Sequence, residues 1–277
     1  MSHTINPPAS KLGPMLLSFL FVLVLLGTFA HAQADQKQPP NPAPVDKEKR
    51  ISDLIGSARK DTPESISDVE QIAQEGAVEA VPMLEQKFAH TGDAIDKAHI
   101  ASALVRLGDK KDIYWDFLVK QAKAAIESGM PDLMAHDSHG NSIPGPSPEL
   151  TAWAQAHNLS VGAAEEQARL SFGAVTFLAI TKDPRAIPLL RQALSAPNYL
   201  IQTAAADGLA AIQDTESIPL IIEACKRAPA ETGGVIAQSL AYFDDPEAQS
   251  ALDKYVPKDM AKALRERRAQ GKKTPWD

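Results

Sequence analysis

Three histidines and an aspartate lie close together in one stretch of the chain, and they are the residues best suited to bind a metal ion. These residues are His136, Asp137, His139 and His157, in a stretch rich in Gly, Pro and Ser. Imidazole nitrogens and carboxylate oxygens are ligands that zinc accepts in proteins. Because the spacing His136-x-x-His139 falls in a loop, no helix directs both rings toward one ion. We therefore interpret the segment as a polar loop, and we keep metal binding as the alternative.

Sequence signatures of catalysis are absent. The chain has no Gly-x-Ser-x-Gly elbow, no His-Glu-x-x-His, no phosphate-binding Gly-rich loop and no paired cysteines. Ser138 is a neighbour of His139 along the chain only. The single cysteine, Cys225, has apolar neighbours, which predict a buried thiol without a reactive role. We predict no catalytic residues, no metal ligands and no cofactor.

Aromatic residues near the histidines could contribute to a binding surface. Trp153 falls in a predicted short helix at 148–156, where it either packs down as an anchor, which we favour, or stays exposed to bind a partner. Tyr114 and Trp115, near the start of another predicted helix, allow the same two interpretations. The candidate binding residues are Tyr114, Trp115, His136, Asp137, His139, Trp153 and His157.

A period of 31 residues indicates the elements that must position these side chains. Asp183 recurs as Asp214 and Asp245, and Ala-Ile-Pro-Leu-Leu at 186–190 recurs as Ser-Ile-Pro-Leu-Ile at 217–221. A fixed period of this size is typical of a solenoid of helix pairs. Each pair is too small to bury its own apolar face, so neighbouring pairs must stack. We predict an all-α solenoid of five or six stacked antiparallel helix pairs.

Within this solenoid the apolar spacing predicts where the helices lie. The best-defined unit has a first helix at 184–194 and a second helix, rich in small residues, at 199–212. A helix at 112–128 belongs to an earlier unit, and the long gap after it predicts one loop-rich insertion at about 129–164. Residues with strand-like alternation are scarce, so no sheet is expected. Insertions in repeat proteins often form the binding face.

These residues resemble the HEAT-like repeats first noticed in phycobilisome lyases. The match rests on the small-residue helix at 201–209, the turn at Asp214 and the Ile-Pro-Leu-Ile sequence at 218–221. It covers about 66–128 and 165–255. The resemblance implies a scaffold whose concave face holds a protein partner, although fold alone does not determine function. Nothing in the sequence marks a chromophore site.

The sequence departs from the family pattern at several positions. The Arg usual near the start of the second helix is Gln202 here and Ser171 one unit earlier, and the Pro of the last unit is Ser250. These differences predict irregular outer units, as is common for the terminal repeats of a solenoid.

Both ends of the chain differ in composition from the repeats. An uncharged apolar run at 15–30 follows Lys11 and precedes Ala-His-Ala, which predicts a secretory signal peptide at 1–32 rather than an uncleaved anchor. Proline-rich residues 33–46 predict a disordered spacer. The solenoid then spans 47–257, and a basic helix and tail span 258–277. Trp276 in that tail is expected to be disordered.

The overall charge narrows the class of partner. The formal net charge is −7, which argues against non-specific nucleic-acid binding, since that requires clustered cations. The leading hypothesis is a non-catalytic protein–protein interaction scaffold in the bacterial cell envelope, secreted or periplasmic, with no stable membrane span after signal cleavage. The alternative is a metal- or small-ligand-dependent binder or enzyme that uses the histidine-containing insertion.

Overall fold

A computed structural model of the chain describes residues 44–60, 62 and 64–277. The predicted signal peptide at 1–32 and the spacer up to residue 43 lie outside the described residues. The first described helix begins at Pro44, three residues before the predicted start of the solenoid. Residues Glu48–Asp277 form one compact unit. Within the described part of the chain, no helix combines the length and the apolar character that a membrane span requires.

Most of the described chain is α-helical, as predicted. The α-helices are α1 (Pro44–Ala58), α2 (Glu64–Glu75), α3 (Val81–His90), α4 (Ala94–Arg106), α5 (Asp112–Glu127), α6 (Pro148–Ala156), α7 (Val161–Ala179), α8 (Ile187–Ala193), α9 (Tyr199–Ile212), α10 (Ile218–Arg227), α11 (Ala230–Ala237), α12 (Pro246–Tyr255) and α13 (Lys258–Ala269). Short 3-10 helices adjoin α3, α8, α10 and α11 at Val78–Ala80, Pro184–Ala186, Thr215–Ser217 and Gln238–Tyr242.

These helices form six successive pairs within the described residues. The pairs are α1–α2, α3–α4, α5–α7, α8–α9, α10–α11 and α12–α13. The second helices stack on one another, α2 on α4, α4 on α7, α7 on α9 and α9 on α11, and α13 packs on the 3-10 helix Gln238–Tyr242. One continuous apolar core runs through the stack. The α-solenoid prediction is confirmed, and the basic helix predicted at 258–277 pairs with α12.

Small residues allow the second helices to approach closely, and α9 is the clearest case. Every residue from Ile201 to Ala210 is buried. A Cβ atom on Gly208 would lie 2.7 Å from the Cβ of Ala179 in α7 and 2.9 Å from Cδ1 of Leu190 in α8. Only glycine therefore permits α7, α8 and α9 to pack at this distance.

The recurring aspartates stabilise the turns between pairs in two ways. Asp183 accepts a hydrogen bond from the backbone N–H of Arg185 (2.9 Å), and Asp245 accepts one from that of Glu247 (2.8 Å), so both cap the helix that follows. Asp214 is instead held by the guanidinium of Arg191, with Nη2 2.7 Å from Oδ1. The aspartate at this position of the repeat thus caps a helix at Asp183 and Asp245, and it holds an arginine of α8 at Asp214.

The insertion contains a small antiparallel sheet, so the expectation of no sheet is wrong there. Strand β1 (Met134–His136) pairs with β2 (Ser142–Pro146), with Ala135 opposite Ile143. The turn between them is organised by Asp137, whose carboxylate accepts hydrogen bonds from the backbone N–H groups of His139 and Asn141. Strands this short carry too few residues to show an alternating pattern.

The tail after α13 is also ordered, in contrast to the expectation for Trp276. Thr274 is buried, and Trp276 packs against the apolar core of the repeats. An indole ring offers a large apolar area whose burial offsets the entropy of ordering a short segment.

Candidate interaction surface

The insertion is fixed to the C-terminal repeats by backbone and side-chain hydrogen bonds. Nδ2 of Asn198, at the start of α9, donates to the carbonyl of Pro131 (3.0 Å). The carboxylate of Glu231 in α11 accepts from the backbone N–H of Ser142 (2.6 Å). Gly140 lies so close to α11 that a Cβ atom would be 2.6 Å from the backbone nitrogen of Ala230. The hairpin is therefore seated on the start of α11 and held there.

His136 lies at this junction and not on the outer surface. Its Nε2 atom is 3.2 Å from Oγ1 of Thr232, and its Nδ1 atom is 3.7 Å from Oδ2 of Asp132. Its ring meets that of Tyr199 edge-on, with centroids 6.3 Å apart. The pKa of Asp132 is raised above its ordinary value, because the effect of burial outweighs the opposing effect of the nearby His136. This histidine therefore contributes to seating the hairpin on the solenoid.

Asp137 and His139 belong to the tip of the hairpin. The carboxylate of Asp137 also accepts a hydrogen bond from Nδ2 of Asn141 (2.9 Å). That bond and the backbone hydrogen bonds of the turn lower the pKa of Asp137, although burial opposes the shift. The side chain of His139 is exposed. The oxygens of Asp137 are thus used to shape the turn that presents His139.

Trp153 and His157 form one stacked pair on α6. Their ring centroids are 3.9 Å apart with an interplanar angle of 22°, and Nδ1 of His157 is 2.8 Å from the carbonyl oxygen of Trp153. Trp153 is half-buried. The fully buried side chains of α6 are Leu150 and Ala154, so these two anchor the helix, and whether Trp153 serves as a further anchor or as a binding residue stays a prediction.

Tyr114 and Trp115 lie in the body of the solenoid. Tyr114 is 4% exposed and meets the ring of Phe88 edge-on, with centroids 5.0 Å apart. Trp115 is half-buried beneath the guanidinium of Arg185, whose Cζ atom is 4.1 Å from the ring centroid. Tyr114 is a core residue, and Trp115 links α5 to the next repeat through a cation–π contact.

The candidate metal ligands are not brought to a common point. His136 contacts Thr232, His139 is at the hairpin tip and His157 stacks on Trp153. Among the described residues, no group of three or more His, Cys, Asp or Glu side chains is placed to hold a metal ion. Cys225 is buried, and burial raises its pKa to about 12, which disfavours the thiolate.

Residues 164–241 match the model of the HEAT-repeat family. These residues are therefore similar to HEAT repeats. The match spans α7 to the 3-10 helix Gln238–Tyr242, where the 31-residue period is clearest. No curated protein matches the chain. HEAT repeats generally mediate protein–protein interactions, so protein is the class of partner that this fold supports.

A largely buried ion-pair cluster on the earlier repeats was not singled out from the sequence. Nη1 of Arg106 lies 2.8 Å from both carboxylate oxygens of Glu70, and Nε2 of His99 lies 3.3 Å from one of them. Burial raises the pKa of Glu70, but the hydrogen bonds from His99 and Arg106 outweigh it and lower the pKa to about 2. Glu70 precedes these partners by 29 and 36 residues, close to the 31-residue period of the sequence. This spacing is the sequence feature from which the ion-pair cluster could have been predicted.

A second unpredicted feature is a carboxyl group inside α9. Asp207 is only 8% exposed, and the described residues offer it no hydrogen-bond or ion-pair partner. Burial raises its pKa to about 7. The spacing of small residues in α9 predicts a buried helix, but it does not reveal a charge without compensation.

Proposed function

We propose that this protein is a non-catalytic scaffold that binds a protein partner through its insertion, exported to the bacterial cell envelope as a secreted or periplasmic protein. The observation that carries the proposal is an exposed surface on a firmly seated insertion. Ile143 on β2 is 41% exposed, and β2 is an edge strand whose residues 143–146 all face solvent. The Trp153–His157 stack adds an aromatic element on α6.

The fixed geometry of the insertion favours binding. Ordering a loop or an aromatic side chain at an interface costs free energy when the partner binds. A surface that is already ordered in the folded protein does not incur this cost on binding. The hydrogen bonds of Pro131 and Ser142 to the repeats hold the hairpin in place before a partner arrives. We further propose that the repeats are of the type first noticed in phycobilisome lyases, acting here as a scaffold without lyase chemistry.

The insertion proposal predicts that surface substitutions abolish partner capture. The chain from residue 33 to 277 would be immobilised and exposed to an envelope extract, beside the variants Ile143→Glu and Trp153→Ala. We expect at least a ~10-fold loss of the captured partner for each. Trp is enriched among the residues that dominate binding energy, and a carboxylate at position 143 would be buried without a partner in the interface. Val78→Glu is the matched control, because Val78 is also an exposed aliphatic residue (60%) but lies on an early repeat. Capture that is equally strong for all variants would contradict the proposal.

The export proposal predicts a processed chain. The apolar run at 15–30 and the following Ala-His-Ala support cleavage after Ala32, and Ala-Gln-Ala at 32–34 offers a second option two residues later. The first residue would then be Gln33 or Asp35. Intact mass measurement of the protein in a soluble envelope fraction checks this expectation. A chain that retains residues 1–32 and sediments with membranes would show that the run acts as an anchor.

A further inference from the structure

A cavity of about 1020 Å³ lies between the first two helix pairs, where the two helices of each pair are joined. Among the described residues, its walls include Arg59 and Thr62, between α1 and α2, and residues 91–93, between α3 and α4. Ile66 of α2 and Met83 of α3 add an apolar part to the lining. Pockets that hold drug-sized ligands have volumes of roughly 300–1,000 Å³. The cavity is therefore large enough for an organic ligand of that size.

Two carboxylates at the start of α4 line one wall of this cavity. Oδ1 of Asp93 accepts hydrogen bonds from the backbone N–H groups of Ile95 (2.9 Å) and Asp96 (3.0 Å), so it caps α4. Asp96 is half-buried, and within the described part of the chain its carboxylate has no hydrogen-bond or ion-pair partner. Burial and the charge of Asp93 raise the pKa of Asp96, and they outweigh the opposing effects of His99 and Lys87. A ligand cation at Asp96 would favour its charged form.

The cations of the cavity include one that is not engaged by the protein. Nζ of Lys87 is 3.1 Å from the carbonyl oxygen of Lys60, and Nδ1 of His90 is 2.7 Å from that of Gln86. Arg59 directly follows α1 and is exposed, and its guanidinium forms no ion pair or hydrogen bond with the residues that the structure describes. A guanidinium presents N–H donors in a planar arrangement that matches the two oxygens of a carboxylate. The cavity therefore offers an unused anion-binding group as well as an unused cation-binding group.

We propose that this cavity binds a short peptide as a zwitterion, with the terminal ammonium at Asp93 and Asp96 and the terminal carboxylate at Arg59. Apolar side chains of the ligand then contact Ile66 and Met83, and the flexible side chain of methionine adapts to different shapes. The site lies on the first two helix pairs and uses no residue of the insertion. It is thus a binding activity additional to the proposed function.

The test uses two peptides with free termini, Ala-Leu-Ala and Ala-Leu-Leu-Ala. Isothermal titration calorimetry with the chain from residue 33 to 277 at pH 7 measures their affinities. We expect binding of at least one peptide, and we expect N-acetylation and C-amidation each to weaken that peptide by at least ~10-fold, because each removes one charge-assisted contact. The blocked peptides probe both contacts on the unaltered protein, so this test does not depend on a variant that folds.

Substitutions in the protein assign each terminus to its wall. Asp96→Asn should weaken the free peptide by at least ~10-fold and leave the affinity of the N-acetylated peptide nearly unchanged, since that peptide has already lost the contact. Arg59→Gln should act in the same way toward the C-amidated peptide. Asp96 is chosen over Asp93 because Asp93 caps α4. Asp116→Asn and Lys120→Gln, at exposed residues of α5, are the matched controls and should leave both affinities unchanged.

Thermal unfolding of each variant shows that the repeats stay folded. The proposal is overturned if neither peptide binds, or if binding is indifferent to acetylation and to Asp96→Asn. Binding that requires only the terminal carboxylate would identify an anion site and would also overturn the zwitterion proposal. Since the insertion takes no part, capture of a protein partner through Ile143 and Trp153 can succeed or fail independently of these results.

Discussion

Replacing Asp207 by Asn is expected to raise the free energy of unfolding at pH 8 by about 4 kcal/mol. In the wild-type protein the buried carboxyl must ionise without a partner, and its folded-state pKa of about 7 lies about three units above the ordinary value of 3.8. Each unit corresponds to about 1.4 kcal/mol of differential stability. The amide of Asn is close in shape and carries no charge, so it removes this cost.

The sign follows from proton linkage. Because the folded state holds the proton more tightly than the unfolded chain, the contribution of Asp207 to stability is fully present below pH 3.8 and lost as the pH rises through about 7. The advantage of the Asp207→Asn variant should therefore grow from about 2 kcal/mol at pH 5 to about 4 kcal/mol at pH 8. Urea unfolding monitored by circular dichroism at both pH values measures it.

The matched control is Asp116→Asn, at an exposed aspartate of α5. Its effect on the free energy of unfolding should be small, because its side chain is exposed. A pH-independent effect of Asp207→Asn would show that the carboxyl group is solvated or paired in solution.

The second large effect is expected for Gly208→Val, which should lower the free energy of unfolding by about 3 kcal/mol or more. The new side chain would enter the contact between α9, α7 and α8, where even a Cβ atom comes within 3 Å of both Ala179 and Leu190. Two of the three crowded atoms belong to Ala179, which has no flexible side chain to move aside. The helices must separate to accept the substitution.

Gly56→Val separates this packing effect from helix propensity. Gly56 lies in α1 and is exposed, and a Cβ atom added there would meet no other atom within 4 Å. Valine has a slightly better helix propensity than glycine, so the change in stability should stay within about 0.5 kcal/mol. Equal losses for Gly208→Val and Gly56→Val in urea unfolding would contradict the close packing of α7, α8 and α9.

Elements with local signals were predicted closely from the sequence. The helices predicted at 148–156 and 199–212 have those bounds, because Ser147 and Asn198 cap them and their apolar residues follow the helical period. The repeated helix pairs were also predictable from the sequence, since the stacking of equivalent units requires similar residues at the same spacing.

Features that depend on distant residues were not predicted. The hairpin is held by Glu231, which is 89 residues from its partner Ser142. The packing of Trp276 depends on repeats that lie far from it along the chain, and the position of His136 depends on Thr232. No local pattern encodes such pairings, so the candidate site was predicted as a set of residues but not as an arrangement.

The place of the insertion affects how the array folds. It separates α5 from α7, two helices of the same pair, whereas the helices of each other pair are joined by a short segment. Closing the loop of residues 128–160 costs roughly 2 kcal/mol more entropy than closing a turn of a few residues. Folding is therefore expected to start in the short-looped pairs on either side and to reach the α5–α7 contact late. The third helix pair is therefore expected to be the last to form, and it lies beside the surface proposed to bind a partner.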